Sequence, residues 1–135
     1  MSKELRWKQR FENFQKAFAV FERRANEYQL HPTEEAYQLS MVQAFEFVLE
    51  MSWKTLKDYL ELQGYSDVKT PVQVVRQAFQ SELIMNGETW LEALKIRSET
   101  SHVYDLDVLK KVISFTGTVF PAVVRALHKK LEQLL

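Results

Sequence analysis

Apolar side chains recur at helical spacing along most of the chain. Between Trp7 and Tyr28 the apolar positions are separated by alternating steps of three and four residues, which places them on one face of a long helix. No segment alternates apolar and polar residues in the manner of a β-strand. The pattern therefore predicts an all-α protein. The first stripe consists of Trp7, Phe11, Phe14, Phe18, Phe21, Ala25 and Tyr28.

A second helix is predicted between His31-Pro32, which ends the first, and Gly64. Thr33 is positioned to cap its start, with acidic residues following to complement the positive helix end. This helix is apolar over a wide arc, so we expect more than one neighbour to cover it. Its two apolar rows are Leu39, Val42, Phe45, Leu49, Trp53, Leu56 and Leu60, and Met41, Ala44, Val48 and Met51.

Three further helices are predicted after Gly64. Thr70, Pro71 and Gln73 form a capping signature for the third, because the threonine and glutamine can exchange hydrogen bonds with each other's backbone. Asn86-Gly87 is expected to end this helix, and the fourth starts at about Glu88. The fifth is predicted from about Leu106 to the C-terminus, with Leu109, Val112, Thr116, Phe120, Val123, Leu127, Leu131 and Leu134 on its buried side.

The last helix is expected to bend near Pro121. A proline cannot donate to the carbonyl four residues earlier, which belongs to Gly117, and its ring crowds that carbonyl. The complete pattern predicts an up-and-down four-helix bundle with five helical segments and a kinked C-terminal helix. At 135 residues, the chain is long enough for one core, and residues 1–135 are expected to form a single domain.

Composition excludes several classes of function. Lys plus Arg and Asp plus Glu both number 18, and the net charge is zero, so no global field attracts nucleic acid or an anionic membrane. The chain has no cysteine, which excludes disulfides and thiolate metal sites. The charged N-terminal sequence and the lack of a long apolar segment predict neither a signal peptide nor a membrane span. We therefore expect a cytoplasmic protein with no membrane partner.

The stretch RSETSHVY differs from its neighbours because it places Arg97, His102 and Tyr104 within eight residues. Arg97 and His102 would lie on different faces of a continuous helix. Its hydroxyl residues and the capping Asp105 instead predict a helix end and a tight turn, which can direct both side chains into one groove. The guanidinium of Arg97 is permanently charged and can donate several hydrogen bonds to a phosphate, and a histidine such as His102 can exchange protons near neutral pH. Together they suit phosphodiester chemistry.

Alternative interpretations need no chemistry. Arg97 can be a surface ion-pairing residue, His102 a turn residue and Tyr104 a core residue with its hydroxyl at the edge.

A second group of polar residues, Glu46, Glu50, Lys54 and Asp58, occurs at four-residue steps on the predicted second helix. Two carboxylates one turn apart could suggest a metal site, but Glu before Lys at this spacing is typical of a solvated helix face, which we favour. His31, His128, Trp53 and Trp90 are interpreted as structural, although a tryptophan exposed beside the motif could stack a base.

The arrangement of Arg97, His102 and Tyr104 between two helices of a small all-α domain resembles the signature of the HEPN superfamily. More narrowly, it resembles the toxin branch paired with minimal nucleotidyltransferases, the HepT/MntA type, also described as the nucleotidyltransferase substrate-binding protein family. The similarity extends to FEFVLEMSWKTLKDYLELQG (Phe45 to Gly64) and NGETWLEALKIRSETSHVYD (Asn86 to Asp105), and to the bundle layout across nearly the whole chain.

This resemblance implies a metal-independent endoribonuclease that needs no cofactor and acts as the toxin of a type VII toxin–antitoxin pair. In such proteins the ribose 2′-hydroxyl attacks the adjacent phosphate. His102 would be the general acid or base and Arg97 would hold the phosphate. The resemblance also implies a homodimer with the two motifs facing each other. RNA would then be bound by a few converging cations, namely Arg97, Lys95 and either Arg76 or Lys110.

Tyr104 matches the tyrosine onto which the partner nucleotidyltransferase, the antitoxin, transfers adenylate. The resulting bulky anion would silence the neighbouring groups. This sequence departs from the family pattern in having Ser98 directly after the arginine, where a larger Asn or Asp is common; its hydroxyl would take a supporting role in orienting phosphate or backbone. The alternative hypothesis is a non-catalytic subunit that presents a substrate, or Tyr104 itself, to a nucleotidyltransferase.

Overall fold

The computed structural model describes residues 2–135, which form helices joined by short turns and contain no strand. The predicted all-α fold is therefore confirmed, and its five helical segments are present if the last two helices below, joined by a π turn, are counted as the one kinked C-terminal helix. The helices are α1 (Lys3–Leu30), α2 (Glu35–Leu62), α3 (Pro71–Gln80), α4 (Gly87–Glu99), α5 (Leu106–Ser114) and α6 (Phe120–Gln133); a 3₁₀ turn (Thr100–His102) follows α4, and a π turn (Phe115–Val119) joins α5 to α6.

The two long helices, α1 and α2, pack against each other in opposite directions. Arg10 near the start of α1 forms an ion pair with Asp58 near the end of α2, with Nε and Oδ2 2.9 Å apart. The Asp58 side chain is only 6% exposed, so this residue does not belong to a solvated face as we had expected. A buried carboxylate needs its arginine partner to compensate for lost hydration.

The predicted apolar stripes meet in one hydrophobic core. Phe120 lies at its centre, with its ring centroid 4.9 Å from Phe45, 5.4 Å from Trp90 and 5.7 Å from Phe21. These edge-to-face contacts join α1, α2, α4 and α6 around a single side chain. Most of the wide apolar arc of α2 is buried, as predicted, because α1, α3, α4 and α5 all contact this helix.

Two of the three predicted helix caps are confirmed and one is wrong. Thr70 and Gln73 form the complete capping box, and Asp105 accepts hydrogen bonds from the first turn of α5. Thr33 does not cap α2. The backbone N–H of Glu34 closes a separate turn on the carbonyl of His31 at 3.3 Å, so the helix begins one residue later, with Glu34 at its cap.

The third helix ends earlier than predicted, at Gln80 and not near Asn86. Glu82 adopts a left-handed conformation with φ of 60°, and the N–H of Leu83 donates to the carbonyl of Ala78 at 2.9 Å. This is the hydrogen-bond pattern of a Schellman cap. It reverses the chain so that Leu83 and Ile84 enter the core, which an uninterrupted helix would not achieve.

The predicted interruption of the last helix is present as a π turn around Gly117. Pro121 has no N–H for the Gly117 carbonyl. That carbonyl instead accepts a hydrogen bond from the Gln29 side-chain amide at 3.3 Å. A Cβ on Gly117 would come within 2.9 Å of the Tyr28 ring, so only glycine permits this close approach of α1 to the π turn.

Within residues 2–135, no helix is both long and apolar enough to cross a membrane.

Candidate functional site

The motif lies where α4 ends and the chain turns into α5. The 3₁₀ turn tightens the end of α4, and the N–H of Asp105 donates to the carbonyl of His102 at 3.1 Å. Asp105 then caps α5 with its carboxylate. The predicted helix end and tight turn between Arg97 and Asp105 are thus present, and they separate Arg97 on α4 from His102 on the turn.

Arg97 points toward α2, where Glu46 neutralises its charge. Arg97 Nη1 lies 2.9 Å from Glu46 Oε2 and donates to Thr100 Oγ1 at 2.9 Å. The Thr100 hydroxyl can donate in turn to Glu46 Oε2 at 2.8 Å. Thr100 is 5% exposed, while the Arg97 side chain is 48% exposed. This three-residue cluster orients the guanidinium and leaves part of it accessible.

The positive charge of Arg97 also acts on a second carboxylate of α2, that of Glu50. Partial burial opposes ionisation of Glu50, but hydrogen bonds from Lys54 and Trp53 and the positive charges of Lys54 and Arg97 outweigh it, so its pKa is lowered. Glu50 Oε1 lies 3.0 Å from Lys54 Nζ, and Trp53 Nε1 donates to Glu50 Oε2 at 3.2 Å. The negative charge of Glu50 is therefore compensated within its own helix.

His102 and Tyr104 lie together on the outer side of the turn. The Tyr104 hydroxyl is 3.5 Å from His102 Nδ1, and their rings meet edge to face with centroids 6.0 Å apart. Tyr104 is 82% exposed, so the alternative prediction of a core tyrosine is wrong. A group attached to its oxygen would begin within hydrogen-bonding range of the imidazole.

An open groove of about 450 Å³ runs beside this pair along α5. The lysine that lines this groove is Lys111, and its Nζ lies 2.9 Å from Glu99 Oε1. The other oxygen of that carboxylate, Glu99 Oε2, is buried without a hydrogen-bond partner among the described residues. Glu99, His102, Tyr104, Asp105, Asp107, Val108 and Lys111 line the groove.

Within one copy of the chain, Arg97 and His102 line different grooves. Arg97 contributes to a groove between α2, α3 and α4, whereas His102 contributes to the groove along α5. The side chain of Ser98, the predicted supporting residue, donates to the carbonyl of Lys95 at 2.5 Å and also lines the Arg97 groove. The tight turn therefore brings His102 and Tyr104 together but does not direct Arg97 into the same groove.

Four residues that contact the motif side chains or line their groove were not predicted from the sequence. Glu46 and Thr100 hold Arg97, and Glu99 and Lys111 flank His102. Of the additional cations predicted to converge on RNA, Arg76 lines a separate groove between α3 and α4. The position of Glu46 on α2 was visible in the sequence only as one member of a regularly spaced charged row. Thr100 lay inside the motif, but its burial depends on contacts with α2.

The remaining histidines pack against aromatic rings. His31 stacks on Tyr37 with centroids 4.4 Å apart, and His128 stacks on Phe18 at 4.4 Å. Among residues 2–135, no group of three or more metal-ligating side chains is arranged to hold an ion.

Comparisons with known proteins identify a family and show a similar fold among solved structures. A family model described as nucleotidyltransferase substrate binding protein like matches residues 9–133. A crystal structure of a protein from Thermus thermophilus superposes with a TM-score of 0.75 at 24% sequence identity, covering 90% of this chain and 98% of that one. At this identity the structural likeness supports the fold alone. No curated protein matches the chain at a significant level.

Proposed function

Because the chain belongs to the nucleotidyltransferase substrate-binding protein-like family, we propose that it is the toxin of a type VII toxin–antitoxin pair. Its activity is metal-independent cleavage of RNA, and a partner nucleotidyltransferase neutralises it by adenylylating Tyr104. We assign this activity to the cytoplasm, where RNA and ATP are both present.

The reaction is an internal transfer at phosphorus. The ribose 2′-oxygen attacks the adjacent phosphorus and loses its proton, while the bond to the 5′-oxygen of the next nucleotide breaks and that oxygen gains a proton. The products are a 2′,3′-cyclic phosphate and a 5′-hydroxyl, so neither water nor a metal enters this step. His102 moves a proton as general acid or base, and Arg97 binds the phosphate and stabilises its growing charge.

The observation that carries the proposal is the contact between the Tyr104 hydroxyl and His102 Nδ1, 3.5 Å apart on an exposed turn. In the adenylylation step, the Tyr104 oxygen attacks the α-phosphorus of ATP, pyrophosphate leaves and the phenolic proton is lost. The added phosphate begins beside the imidazole, where its bulk covers His102 and its negative charge repels an RNA phosphate. One accessible tyrosine can thus control one catalytic histidine.

The proposed active form is a homodimer, in which the two motifs face each other across one site. Arg97 and His102 line different grooves of one copy, so we propose that the Arg97 of one copy and the His102 of the other face a common phosphate. The exposed apolar side chains around the motif suit such an interface; Leu39 is 38% exposed and Leu106 67% exposed.

The proposal is tested by incubating the purified protein with single-stranded RNA in the presence of a chelator. We expect cleavage to leave cyclic phosphate ends, His102→Ala to reduce the rate by about 100-fold or more, and Tyr104→Phe to retain activity. After incubation with the partner nucleotidyltransferase and ATP, intact mass should increase by adenylate units in the parent chain but not in Tyr104→Phe. Cleavage that is unchanged in His102→Ala would contradict the catalytic assignment.

One observation favours a second candidate, a non-catalytic subunit that presents a substrate or Tyr104 to a nucleotidyltransferase. Arg97 is already paired with Glu46 and lines a different groove from His102, as expected of a structural arginine. This candidate requires that no RNA is cleaved, while Tyr104 still accepts adenylate from the partner.

A further inference from the structure

A groove of about 380 Å³ lies between α2, the start of α3 and α4, with Arg97 on its wall. Its surface is predominantly apolar, and the polar groups stand at its edges. Concave, mostly apolar sites with a few polar groups are typical of small-molecule binding. Leu49, Glu50, Trp53, Thr70, Pro71, Val72, Leu94, Arg97 and Ser98 line the groove.

Trp53 is the accessible tryptophan of the chain. Trp7 and Trp90 are 2% and 1% exposed and belong to the core, whereas Trp53 is only partly buried and contributes to the groove wall. Its indole N–H is already bonded to Glu50 at 3.2 Å, which fixes the ring orientation. The remaining interaction that the indole offers a ligand is stacking on its π-face.

Polar groups of different kinds meet at the edges of this apolar wall. Arg97 is partly accessible beyond its contact with Glu46, and the charge of Glu50 is compensated by Lys54 at 3.0 Å. A ligand that suits the groove therefore has a flat aromatic part for Trp53 and an attached anion for Arg97. A nucleotide combines these two parts in one molecule.

We propose that this groove binds a nucleobase of single-stranded RNA, stacked against Trp53, with the adjoining phosphate held by Arg97. The identity of the occupant rests on the proposed RNA-directed function, whereas the apolar wall, the oriented indole and the neighbouring guanidinium are features of the groove itself. Stacking on an aromatic side chain accepts any base, so the groove contributes affinity and positions the strand without strict sequence preference.

The first test uses the full-length chain with His102→Ala, so that RNA stays intact, and follows tryptophan fluorescence. Adenosine 5′-monophosphate is compared with ribose 5-phosphate, which carries the same sugar and charge without a base. Because Trp7 and Trp90 are buried, contact quenching reports Trp53. We expect quenching by the nucleotide and none by the sugar phosphate. Equal quenching by both, or by neither, would overturn the proposal.

The second test measures binding of a fluorescently labelled single-stranded oligoribonucleotide by anisotropy. Trp53→Ala should weaken binding by about 5- to 100-fold, the range expected for loss of one stacked base, and Trp53→Phe should recover most of it. Val72 lies on the groove wall and is 39% exposed, and Val72→Glu should also weaken binding. Gln80→Glu adds the same charge to α3 outside this groove and should have little effect.

The outcomes separate the groove from the proposed activity. Base-dependent quenching without RNA cleavage by the parent chain would support the groove and refute the ribonuclease. Cleavage by the parent chain, with oligonucleotide affinity unchanged by Trp53→Ala and Val72→Glu, would support the ribonuclease and refute the groove. The helix content of each variant is measured by far-UV circular dichroism, so that a loss of binding caused by unfolding is recognised.

Discussion

Arg97 Nη1 and Glu46 Oε2 lie 2.9 Å apart and join the end of α4 to the middle of α2. The guanidinium that the proposed mechanism assigns to an RNA phosphate is therefore paired with a carboxylate when no RNA is bound. Thr100, almost fully buried, holds both groups. A phosphate must compete with Glu46 for the same charge, so this carboxylate is expected to limit RNA affinity.

Glu46→Gln should strengthen RNA binding. The substitution removes the competing negative charge and keeps an oxygen for Thr100 and Arg97, so we expect an increase in affinity of about two- to fivefold, the size of a partly exposed ion pair. The measurement is oligonucleotide anisotropy with His102→Ala in every variant. Glu12→Gln, at an exposed position on α1, is the matched control for net charge. A gain that persists when Arg97→Ala is added would show that Glu46 does not act through Arg97.

Gly117→Ala should destabilise the bundle. The new Cβ would lie 2.9 Å from Tyr28 Cε2, and moving the ring or the π turn costs about 1–3 kcal/mol of unfolding free energy. Urea denaturation of the parent and the variant gives this difference. Combining the substitution with Tyr28→Leu, which removes the contacted ring, should recover part of the loss. Equal stability of Gly117→Ala and the parent chain would contradict the close packing described here.

The ion pairing of Glu50 should stabilise the protein at neutral pH but not at low pH. Burial alone would raise the pKa of Glu50, but hydrogen bonds from Lys54 and Trp53 and the nearby positive charges lower it below that of an ordinary glutamate. Because the pKa of Glu50 is lower in the folded state than in the unfolded state, its ionised form stabilises the fold. This contribution to the unfolding free energy is complete above the unfolded-state pKa and is lost as the pH falls through the folded-state pKa. Because the side chain is 45% exposed, we expect less than about 1 kcal/mol.

This pH dependence is measured by comparing the unfolding free energies of the parent and Glu50→Gln between pH 7 and pH 3. Glutamine keeps an acceptor for Trp53 and lacks the titrating charge, so the parent should be more stable at pH 7 and the difference should vanish at the acid end. A difference that stays constant across this range would exclude titration of Glu50 as its source.

The helices were predictable because their signals are local. Periodic apolar residues mark the buried face of each helix, and the Thr70 and Asp105 caps need only neighbouring backbone groups. The predictions failed where distant packing determined the local conformation. Glu82 adopts a left-handed conformation that sequence rules reserve for glycine or asparagine, because the turn delivers Leu83 and Ile84 to the core.

The sequence was enough to select the residues of the candidate site, but not to predict how their side chains are arranged. Arg97, His102 and Tyr104 attract attention because their chemistry differs from that of an ordinary helix end. His102 and Tyr104 are in contact because they are two residues apart on a tight turn, so the local backbone conformation alone brings them together. Arg97 is oriented by Glu46, which belongs to another helix, and neither sequence spacing nor the turn contains that information.

The sequence by itself determined the all-α fold, its main helices and the apolar faces that meet in the core, since hydrophobic period and end capping act within a few residues. Only the tertiary structure decided that Arg97 pairs with Glu46, that Lys111 flanks His102, and that Trp53 and Arg97 share a groove. These contacts depend on the rotation and axial offset of packed helices. Both are set by how all the core side chains fit together, which no single segment specifies.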